Sequence, residues 1–417
     1  MNRMYNDDFK KEPLTEENES IDYILPVSKN KKKHKRSHAK PVPSTDIGNT
    51  QGDNTEYVFA QPRNKKKQKQ KKAVKILVII LCILATLLVT CVGAVLVFNH
   101  TGKIAMHDYS EMTIAPPVEE IDDVEAVEDS GKTIKYKGET YAFNENVATV
   151  SLMGIDIKDF TRTDKYVGEG GQADAIYIAV IDTTQNKVSI LGVSRDTIVD
   201  VNVYNKEGGF VNTEPMQICL SYAYGDGAHT SCENTIVSLE RLLYGLTLNT
   251  YFSFDTRALE EITDAIGGVE ITSTTEFYSK NYGRTVYPGE TITLNGVDAN
   301  TYIRDRDLSQ LDSNNDRMAR QKQFISAFIA TTWDSVKSKP SNIVSLYNIV
   351  AEYSTTNLTT SKMTYLTNSA ISMLNSASEI EFVNIEGEIV KGEYAELHVD
   401  QDALMQTMLD LFYIKVS

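Results

Sequence analysis

The chain has 417 residues, enough for one large domain or two ordinary ones with tails, and a formal net charge of −15. Residues 1–75 hold 18 Lys and Arg against 10 Asp and Glu, a net of +8, which leaves 24 basic and 47 acidic residues, a net of −23, for the remainder. The six histidines are scattered and no HExxH, CxxC or GxSxG motif occurs, which argues against a histidine zinc enzyme or a serine-triad hydrolase.

The first segment, residues 1–75, is predicted to be a disordered basic tail, because it is polar, charged and poor in large apolar residues. Its KKKHKR run at 31–36 is compatible with nucleic-acid binding, as basic runs often are. Attraction to anionic lipid, or no specific role, is the simpler interpretation beside an apolar span. We therefore expect no nucleic acid among the partners.

The next segment, residues 76–98, is an apolar run of 23 residues without a charge. As a helix it is about 34 Å long, enough to cross a hydrocarbon core of about 30 Å. A core helix seldom lacks a polar face over this length, and a signal peptide lies nearer the N-terminus and is shorter. Basic residues crowd the N-terminal side of the run. The sequence therefore predicts a single-pass plasma-membrane anchor with residues 1–75 in the cytoplasm and the rest outside.

Residues 99–134 are predicted to be an acidic extracellular stalk, and residues 135–417 one extracellular domain without an internal linker or repeat. Apolar runs at 148–155, 176–181 and 188–193 indicate strands, and the short turn at 182–187 makes the last two an antiparallel hairpin. Helical patterns follow at 233–244, 255–266, 317–333 and about 402–412. Interleaved strands and helices predict an α/β fold, a three-layer α/β/α sandwich around a mixed central sheet.

The four cysteines divide into two pairs. Cys82 and Cys91 fall inside the apolar run, where we expect them to be inert. Cys219 and Cys232 are the pair predicted to lie outside the cell, in an oxidising compartment. A disulfide between them is plausible, although spacing alone does not establish it.

Charged residues follow the predicted strands at one sheet edge. Asp174 comes just before the first strand of the hairpin and Arg195 just after the second, and hairpin geometry puts these two positions at the same edge. Asp156 also follows a strand. Two carboxylates and an arginine suit a divalent cation that bridges to phosphate. An ordinary ion pair at a strand end is the alternative, and the spacing does not decide between them.

A second charged group is rich in arginine: Arg304, Arg306, Arg317, Arg320 and Gln321. Arg317 and Gln321 are four residues apart, so they share a face in the first turns of the 317–333 helix. Cations near a helix N-terminus are disfavoured by the dipole unless an anion is bound there. Phosphate binding is therefore our preferred interpretation, over a solvated basic face that pairs with neighbouring aspartates.

The order of short motifs along 147–333 resembles the LytR–CpsA–Psr family. The motifs are MGID at 153–156, ADAI at 173–176, VSRDT at 193–197, YAYG at 222–225, DAIGGVE at 264–270, LNG at 294–296, YIRDR at 302–306 and DRMARQ at 316–321. Each is weak alone, but the ordered series is specific. The short cytoplasmic tail and single span also fit the family layout, and 334–417 is a C-terminal extension of this motif core.

The resemblance implies roles for individual residues. Asp156 and Asp174 match the acidic residues that hold Mg²⁺ (or Mn²⁺) against a lipid pyrophosphate. The residues that grip the pyrophosphate match Arg195, Arg304, Arg306, Arg317 and Gln321, and Asp174, Arg195 and Arg306 are the expected catalytic residues. Family members also enclose a polyprenyl tail in an apolar tunnel between sheet and helices.

Two positions depart from the family pattern. Gln172 stands where most members have an arginine, and Gln217 lies in a segment where many have a lysine. The loss of two positive charges would weaken pyrophosphate binding, shift the substrate, or mean that the cation is held differently. The remaining arginines are sufficient to retain the binding hypothesis.

The resemblance implies a phosphotransferase that moves a phosphate-linked glycopolymer, such as a teichoic acid or capsule, from a polyprenyl-pyrophosphate carrier to peptidoglycan. In this hypothesis a wall hydroxyl attacks phosphorus, and either Asp174 or Asp196 takes its proton. The alternative is a non-catalytic membrane receptor or transcription-attenuator-like regulator that binds the lipid-linked polymer and signals through its basic tail. Deletion of residues 1–60 separates the two, since only the receptor needs the tail.

Overall fold

The computed structural model describes residues 65–117, 119–125, 130–156, 167–168, 170–305, 313–339, 341–375, 380–392 and 394–416. The chain divides into two compact units, Met1–Lys71 and Lys72–Ser417. Of the first unit, only residues 65–71 are described, and they are helical. The predicted disorder is therefore wrong for residues 65–75, because the helix already begins there; residues 1–64 lie outside the described part of the chain.

The first helix, α1, extends over Lys65–Met106 and contains the predicted span 76–98. Among the described residues, it is the one helix long and apolar enough to cross a membrane. Its large apolar side chains between 74 and 98 are exposed, as expected of a surface that faces lipid. The helix does not stop where the apolar run stops, since residues 99–106 continue it into the globular region, where Met106 is fully buried.

The central sheet has six strands: β4 Val147–Ile155, β5 Ala173–Asp182, β6 Lys187–Val193, β9 Tyr251–Asp255, β14 Ser354–Thr356 and β15 Ile380–Asn384. Their spatial order is β14-β9-β4-β5-β6-β15. β4, β5 and β6 are antiparallel neighbours, whereas β9 is parallel to β4 and β15 is parallel to β6. The predicted hairpin, β5 with β6, and the predicted mixed sheet are both confirmed.

The other strands form smaller sheets around this one. They are β1 Val124–Glu125, β2 Thr133–Tyr136, β3 Glu139–Phe143 and β18 Tyr413–Lys415 in one sheet, and the pairs β7 Ile198–Tyr204 with β8 Phe210–Gln217, β10 Val269–Thr272 with β13 Thr291–Leu294, β11 Phe277–Ser279 with β12 Arg284–Val286, and β16 Gly387–Lys391 with β17 Ala395–Val399.

The helices after α1 are α2 Leu220–Ala223, α3 His229–Leu242, α4 Thr256–Ala265, α5 Gly296–Arg304, α6 Ser313–Ser338, α7 Asn342–Tyr353, α8 Thr360–Asn375 and α9 Gln401–Phe412. The predicted helix at 255–266 is α4, and Asp255 caps it by accepting hydrogen bonds from the backbone N–H groups of Arg257 and Ala258. The pattern at 317–333 is the middle of the longer α6.

The sheet has a helical layer on each face, so the predicted three-layer sandwich is confirmed. One face packs against α3 and α9 in the main hydrophobic core, which includes Met153, Ile178, Leu239 and Met405. The opposite face lies under α4, α6, α7 and α8. We call this second side the cavity face, because it leaves a space between sheet and helices. Both faces of β4 are covered, which explains why its sequence is apolar almost throughout.

Residues 99–134 differ from the predicted stalk. Tyr109, Met112 and Ile114 are at most 4% exposed and belong to the main core, and the Tyr109 hydroxyl donates to the backbone oxygen of Val147 at 2.8 Å. The acidic composition that suggested a stalk comes from exposed side chains beside and after these buried positions, such as Asp108, Glu111, Glu119 and Glu120. The domain therefore begins at the end of α1 and not near residue 135.

The C-terminal extension is equally part of the fold. The predicted last helix is α9, whose Leu404, Met405, Met408, Leu409 and Phe412 lie in the main core. The following strand, β18, pairs antiparallel with β3 near the start of the domain. The extension therefore completes the core instead of adding a separate module.

Candidate functional site

The predicted edge of the central sheet brings the first charged group together. Ile155, at the end of β4, is paired with Ala173, at the start of β5, and Ile176 of β5 is paired with Val193 of β6. Asp156, Asp174 and Arg195 therefore lie at one edge of the sheet. The Arg195 guanidinium forms an ion pair with Asp174, and its Nη2 donates to Gln172 Oε1 at 2.7 Å.

This pair is not an ordinary surface ion pair. The side chains of Arg195 and Asp174 are only 15% and 21% exposed. A shielded pair is screened far less by solvent and salt than an exposed one. It therefore presents a concentrated field to any charged group that approaches.

The arginine-rich segment reaches the same edge from α5 and α6. Arg304, the last residue of α5, forms an ion pair with Asp156. Arg317, in the first turns of α6, is buried and its Nη2 donates to the backbone oxygen of Asp174 at 3.2 Å. The predicted convergence of Asp156, Asp174, Arg195, Arg304 and Arg317 is therefore present in the structure.

The first turn of α6 is fixed to the sheet by an asparagine that sequence reasoning missed. Asn314 is buried, donates to Ser194 Oγ at 2.6 Å, and accepts a hydrogen bond from Arg317. The N-terminal end of α6, where the first backbone N–H groups point out of the helix, is thus held beside the ion pairs. Its position just before the arginines was visible in sequence, but its partner Ser194 was not.

Gln321 lies one turn further along α6 and meets a second missed residue, Tyr177 of β5. The Tyr177 hydroxyl donates to Gln321 Oε1 at 2.6 Å, and Gln321 Nε2 donates to the backbone oxygen of Ile303 at 3.2 Å. Burial raises the pKa of Tyr177, so it remains a neutral donor at physiological pH. Only the alternation Ala175, Tyr177, Ala179, large between small residues, could have indicated a side chain that projects into a cavity.

An apolar cavity of about 450 Å³ opens beneath the charged groups on the cavity face. Its walls come from the sheet and from α4, α5, α6 and α7, and include Leu152, Tyr177, Ile190, Phe252, Phe254, Leu259, Ile262, Phe324, Phe328 and Val350. Asp156, Asp174, Arg304, Arg317 and Gln321 line the same cavity at one end, which we call the charged mouth. An apolar space with a charged mouth fits an amphiphile that has an anionic head and a hydrocarbon tail.

Of the two remaining arginines in the predicted group, only Arg320 belongs to the described residues. Arg306 lies outside the described residues, so its predicted role stays a prediction. Arg320 is buried and turned away: its Nε donates to the backbone oxygen of Tyr302 at 2.9 Å, and its Nη2 donates to that of Asp305. It fixes the segment that follows α5.

Gln172 and Gln217, the two residues that depart from the family pattern, form hydrogen bonds with charged groups near the charged mouth. Gln172 accepts from Arg195, as described, and Gln217 Nε2 donates to Asp196 Oδ1 at 3.0 Å and to the backbone oxygen of Ala395 at 2.7 Å. Asp196 is buried and also lies 3.6 Å from Arg195 Nε. The two glutamines therefore position the charged groups without adding charge.

The plausible disulfide is wrong, because Cys219 and Cys232 are both free and buried. They lie in different packing environments: Cys219 Sγ is 3.9 Å from Gln172 Oε1, whereas Cys232, in α3, is 3.3 Å from Ser253 Oγ of β9. Burial raises the pKa of Cys219 to about 11, against the opposing effect of Arg195, and that of Cys232 to about 12. Both are protonated and unreactive in the folded protein.

Comparison with known proteins gives the following similarities. The model of the LytR_cpsA_psr family matches residues 118–411. A protein from Enterococcus faecalis named polyisoprenyl-teichoic acid–peptidoglycan teichoic acid transferase TagU is 27% identical over 188 residues, which cover 45% of this chain and 54% of that protein. A protein of the same name from Oceanobacillus iheyensis is 23% identical over 247 residues, 59% of this chain and 66% of that protein. The matches thus span between half and two thirds of these relatives.

The fold is similar to a crystal structure of protein gbs0355 from Streptococcus agalactiae. The TM-score is 0.52 at 19% sequence identity, and the match covers 64% of this chain and 86% of that protein. At this identity the likeness concerns the fold alone.

Proposed function

The chain belongs to the LytR_cpsA_psr family, and from this membership we propose that it transfers a phosphate-linked anionic glycopolymer from a polyprenyl-pyrophosphate carrier to peptidoglycan. The observation that carries the proposal is the apolar cavity with its charged mouth. The names of the relatives support a polymer of the teichoic acid type. In this assignment the polyprenyl tail occupies the cavity and the pyrophosphate lies at the mouth.

The protein's own groups at the mouth bind and orient the pyrophosphate. Arg195, Arg304 and Arg317 present planar guanidinium groups that suit phosphate oxygens, and the N-terminal end of α6 adds backbone donors. In the structure Arg195 pairs with the Asp174 carboxylate and Arg304 with the Asp156 carboxylate, whereas Arg317 donates to the backbone oxygen of Asp174. In this proposal the pyrophosphate competes with the two carboxylates for the guanidinium groups of Arg195 and Arg304.

A divalent cation, Mg²⁺ or Mn²⁺, is the proposed cofactor. Asp156 and Asp174 both line the charged mouth. Their carboxylate oxygens are the ligands that these hard cations prefer, so the two residues are suited to bind the cation. When bound, the cation supplies positive charge that neutralises the pyrophosphate. Asp156 and Asp174 are the residues that would hold it.

The proposed reaction is a phosphoryl transfer from the lipid pyrophosphate to a hydroxyl group of peptidoglycan. A peptidoglycan hydroxyl oxygen bonds to the phosphorus that carries the glycan, and the bond from that phosphorus to the bridging pyrophosphate oxygen breaks. The glycan leaves on a new phosphodiester, polyprenyl phosphate departs, and a carboxylate takes the hydroxyl proton. Asp174 is better placed for this than Asp196, because Asp174 lines the cavity whereas Asp196 is buried against Gln217.

The proposed position of the domain outside the plasma membrane follows from peptidoglycan being the acceptor. Peptidoglycan lies outside the plasma membrane, and the basic flank of α1 favours a cytoplasmic position for residues 1–75. One helix long and apolar enough to span a membrane is consistent with this single-pass arrangement. The domain that begins at the end of α1 would then face the cell wall.

A release assay tests the function. Full-length protein in detergent is incubated with a lipid-pyrophosphate glycan, an oligomeric peptidoglycan acceptor and Mg²⁺, and polyprenyl phosphate is quantified. We expect Arg317→Ala and Asp174→Ala to lower the rate by about 10²- to 10³-fold, as for other lost contacts to developing charge. Arg284→Ala, at an exposed ion pair with Glu290, is the matched control and should retain the rate.

Two outcomes would contradict the proposal. Full release by both mouth variants would show that these residues do not act in the reaction. Tight binding of the lipid-linked glycan by the wild-type protein, without any release, would favour the receptor hypothesis instead.

A further inference from the structure

The cavity face of the central sheet also carries the end of the membrane helix. Ala148 and Val150 of β4 form a hydrophobic cluster with Met106, the last residue of α1, and Tyr365 of α8. Leu152, Ala179 and Phe252 pack against this cluster and also line the cavity. Along β4, the end of α1, the cavity and the charged mouth therefore follow one another on the same face.

The cavity lies between the mouth and the edge of the sheet where α1 arrives. Its lining includes Val188 and Ile380, which are paired with each other at the beginning of β6 and β15. Val188 is also paired with Ile181, seven residues along β5 from Asp174, a separation of about 23 Å in a strand. Tyr365 reaches this edge too, since its hydroxyl is 3.4 Å from Thr183 Oγ1 in the adjoining turn.

A close helix contact joins α1 to α8. A Cβ added at Gly102 would overlap the backbone oxygen of Ser361, so the two helices touch where only glycine fits. Asn368 Nδ2 donates to Asn99 Oδ1 at 2.8 Å, and the rings of His107 and Tyr365 meet edge to face with centroids 5.4 Å apart. We call these contacts the junction; they lie in a continuous helix, not in a flexible linker.

The order of contacts in the junction shows that α8 runs antiparallel to α1. Ser361 meets Gly102, whereas Asn368, two turns later, meets Asn99, so α8 advances towards the apolar part of α1. Ile371, about one further turn along α8, is 45% exposed. Residues 363–375 carry no charge, although the chain after residue 75 has a net charge of −23. This uncharged exposed surface next to a membrane span suits the bilayer interface.

We propose that the junction seats the C-terminal half of α8 on the outer leaflet, from which α1 emerges, with the cavity's far end towards the bilayer and the charged mouth away from it. The occupant of this surface is the lipid bilayer. The inference rests on the proposed function: an isoprenoid chain then passes from the leaflet into the cavity while its head rises to the mouth. Exposure of a long hydrocarbon chain to water is strongly unfavourable. A cavity whose far end opens towards the bilayer lets the chain enter without passing through water.

Glycine variants in full-length protein, reconstituted in vesicles, test the inference. Gly102→Leu must separate α1 from α8, whereas Gly93→Leu, in the same helix with no atom within 4 Å of an added Cβ, is the matched control. We expect Gly102→Leu to lower turnover of a long-chain donor embedded in the vesicle at least tenfold. Turnover of a short-chain, water-soluble donor should stay unchanged, and Gly93→Leu should turn over both donors normally.

The results separate this inference from the proposed function. Wild-type turnover of the long-chain donor by Gly102→Leu would overturn the seating and leave the function standing. Absence of turnover of either donor by the wild-type protein would overturn the function and leave the seating to be decided by position.

A position measurement decides the seating when Gly102→Leu loses both activities. A fluorophore is placed at Ile371→Cys or at Tyr394→Cys in a background without Cys82 and Cys91, and brominated lipids are added as quenchers. Tyr394 is 69% exposed near β17, on the side of the mouth, because Leu397 of β17 bonds to Asp196. We expect quenching at 371 and none at 394; equal quenching, or none at 371, would overturn the inference.

Discussion

At the scale of single residues, the position of Arg195 in the sequence predicted its partner but not its exposure to solvent. Hairpin geometry predicted that it would meet Asp174, and the structure brings them into an ion pair. What spacing left open was exposure: the pair is shielded, so removal of either partner leaves an uncompensated charge. An anionic ligand that takes the place of the aspartate beside Arg195 would supply this compensation in its stead.

The two buried thiols give a direct test at the same scale. Because the pKa of Cys219 is raised to about 11 and that of Cys232 to about 12 by burial, neither forms thiolate near pH 8. We expect iodoacetamide to leave both unmodified in native full-length protein, and to alkylate both in urea without reductant. Peptide mass spectrometry reports the two sites separately. Alkylation in urea only after reduction would instead show a disulfide.

The residues of the site were predictable to different degrees. Asp156, Asp174, Arg195, Arg304, Arg317 and Gln321 were found from strand ends, helical spacing and family motifs. In the described structure five of them line one cavity, and Arg195 is paired with Asp174 beside it. Tyr177 and Asn314 were missed, because each acts through a partner more than a hundred residues away. The disulfide failed for the opposite reason: two cysteines near in sequence lie on different packing surfaces.

At the scale of elements, patterns located strands and helices well but their ends less well. α6 begins at Ser313, before the first arginine, and α1 extends beyond its apolar run at both ends. An apolar pattern stops at the first polar residue, whereas a helix continues for as long as its backbone hydrogen bonds and packing allow. Such extensions matter here, since residues 99–106 of α1 carry the junction.

The turn between β5 and β6 is held by hydrogen bonds to Asp182, which predicts how the stability of the fold depends on pH. Asp182 accepts hydrogen bonds from the backbone N–H groups of Thr184 and Gln185, the Thr184 hydroxyl, and Asn144 Nδ2 at 2.6 Å. Burial alone would raise the pKa of Asp182, but these hydrogen bonds together hold it below its usual value. The carboxylate therefore stabilises the fold above its unfolded pKa of about 3.9, and this stabilisation is lost as pH falls through the lower folded value.

We expect Asp182→Ala to lower the free energy of unfolding at pH 7 by about 2 kcal/mol, through the loss of several hydrogen bonds to a buried carboxylate. Asp182→Asn should lower it less and flatten its dependence on pH below 4. Urea unfolding of the full-length protein in detergent, followed by near-ultraviolet circular dichroism, measures both. Asp334→Asn, exposed on α6, is the control. An unchanged pH dependence in Asp182→Asn would contradict the role of the charge.

At the scale of the whole molecule, the three-layer class was predictable from the alternation of strands and helices, but the limits of the domain were not. Acidic composition suggested a stalk, and the lack of motifs suggested an appended C-terminal extension. Both segments lie in one core, through Tyr109 and Ile114 at one end and Met405 and Phe412 at the other. In the predicted stalk the few large apolar residues are spaced irregularly, so only the tertiary fold reveals that they are buried. In the C-terminal extension the apolar pattern predicted the last helix but not the core that it joins.

Truncation tests this view of the domain. Deletion of residues 401–417 removes six core side chains of α9, and at about 2–5 kcal/mol for each large buried side chain the summed loss is about 12–30 kcal/mol. This loss is comparable to or larger than the 5–15 kcal/mol stability of an ordinary domain, so we expect no cooperative thermal transition. Deletion of residues 1–60 should leave the transition unchanged, since none of the described core contacts involves them. A folded protein without α9 would contradict an integral extension.

The pairing of β18 with β3 also bears on how the protein is made. The sheet β1-β2-β3-β18 joins the opening strands of the domain to its final ones, across more than 270 residues of chain. Such a long closure is slow, and it is impossible while the last residues are still inside the ribosome. The core therefore closes only after β18 has left the ribosome. Until then, the chain exposes the apolar surface that α9 covers, and such exposed surface promotes aggregation.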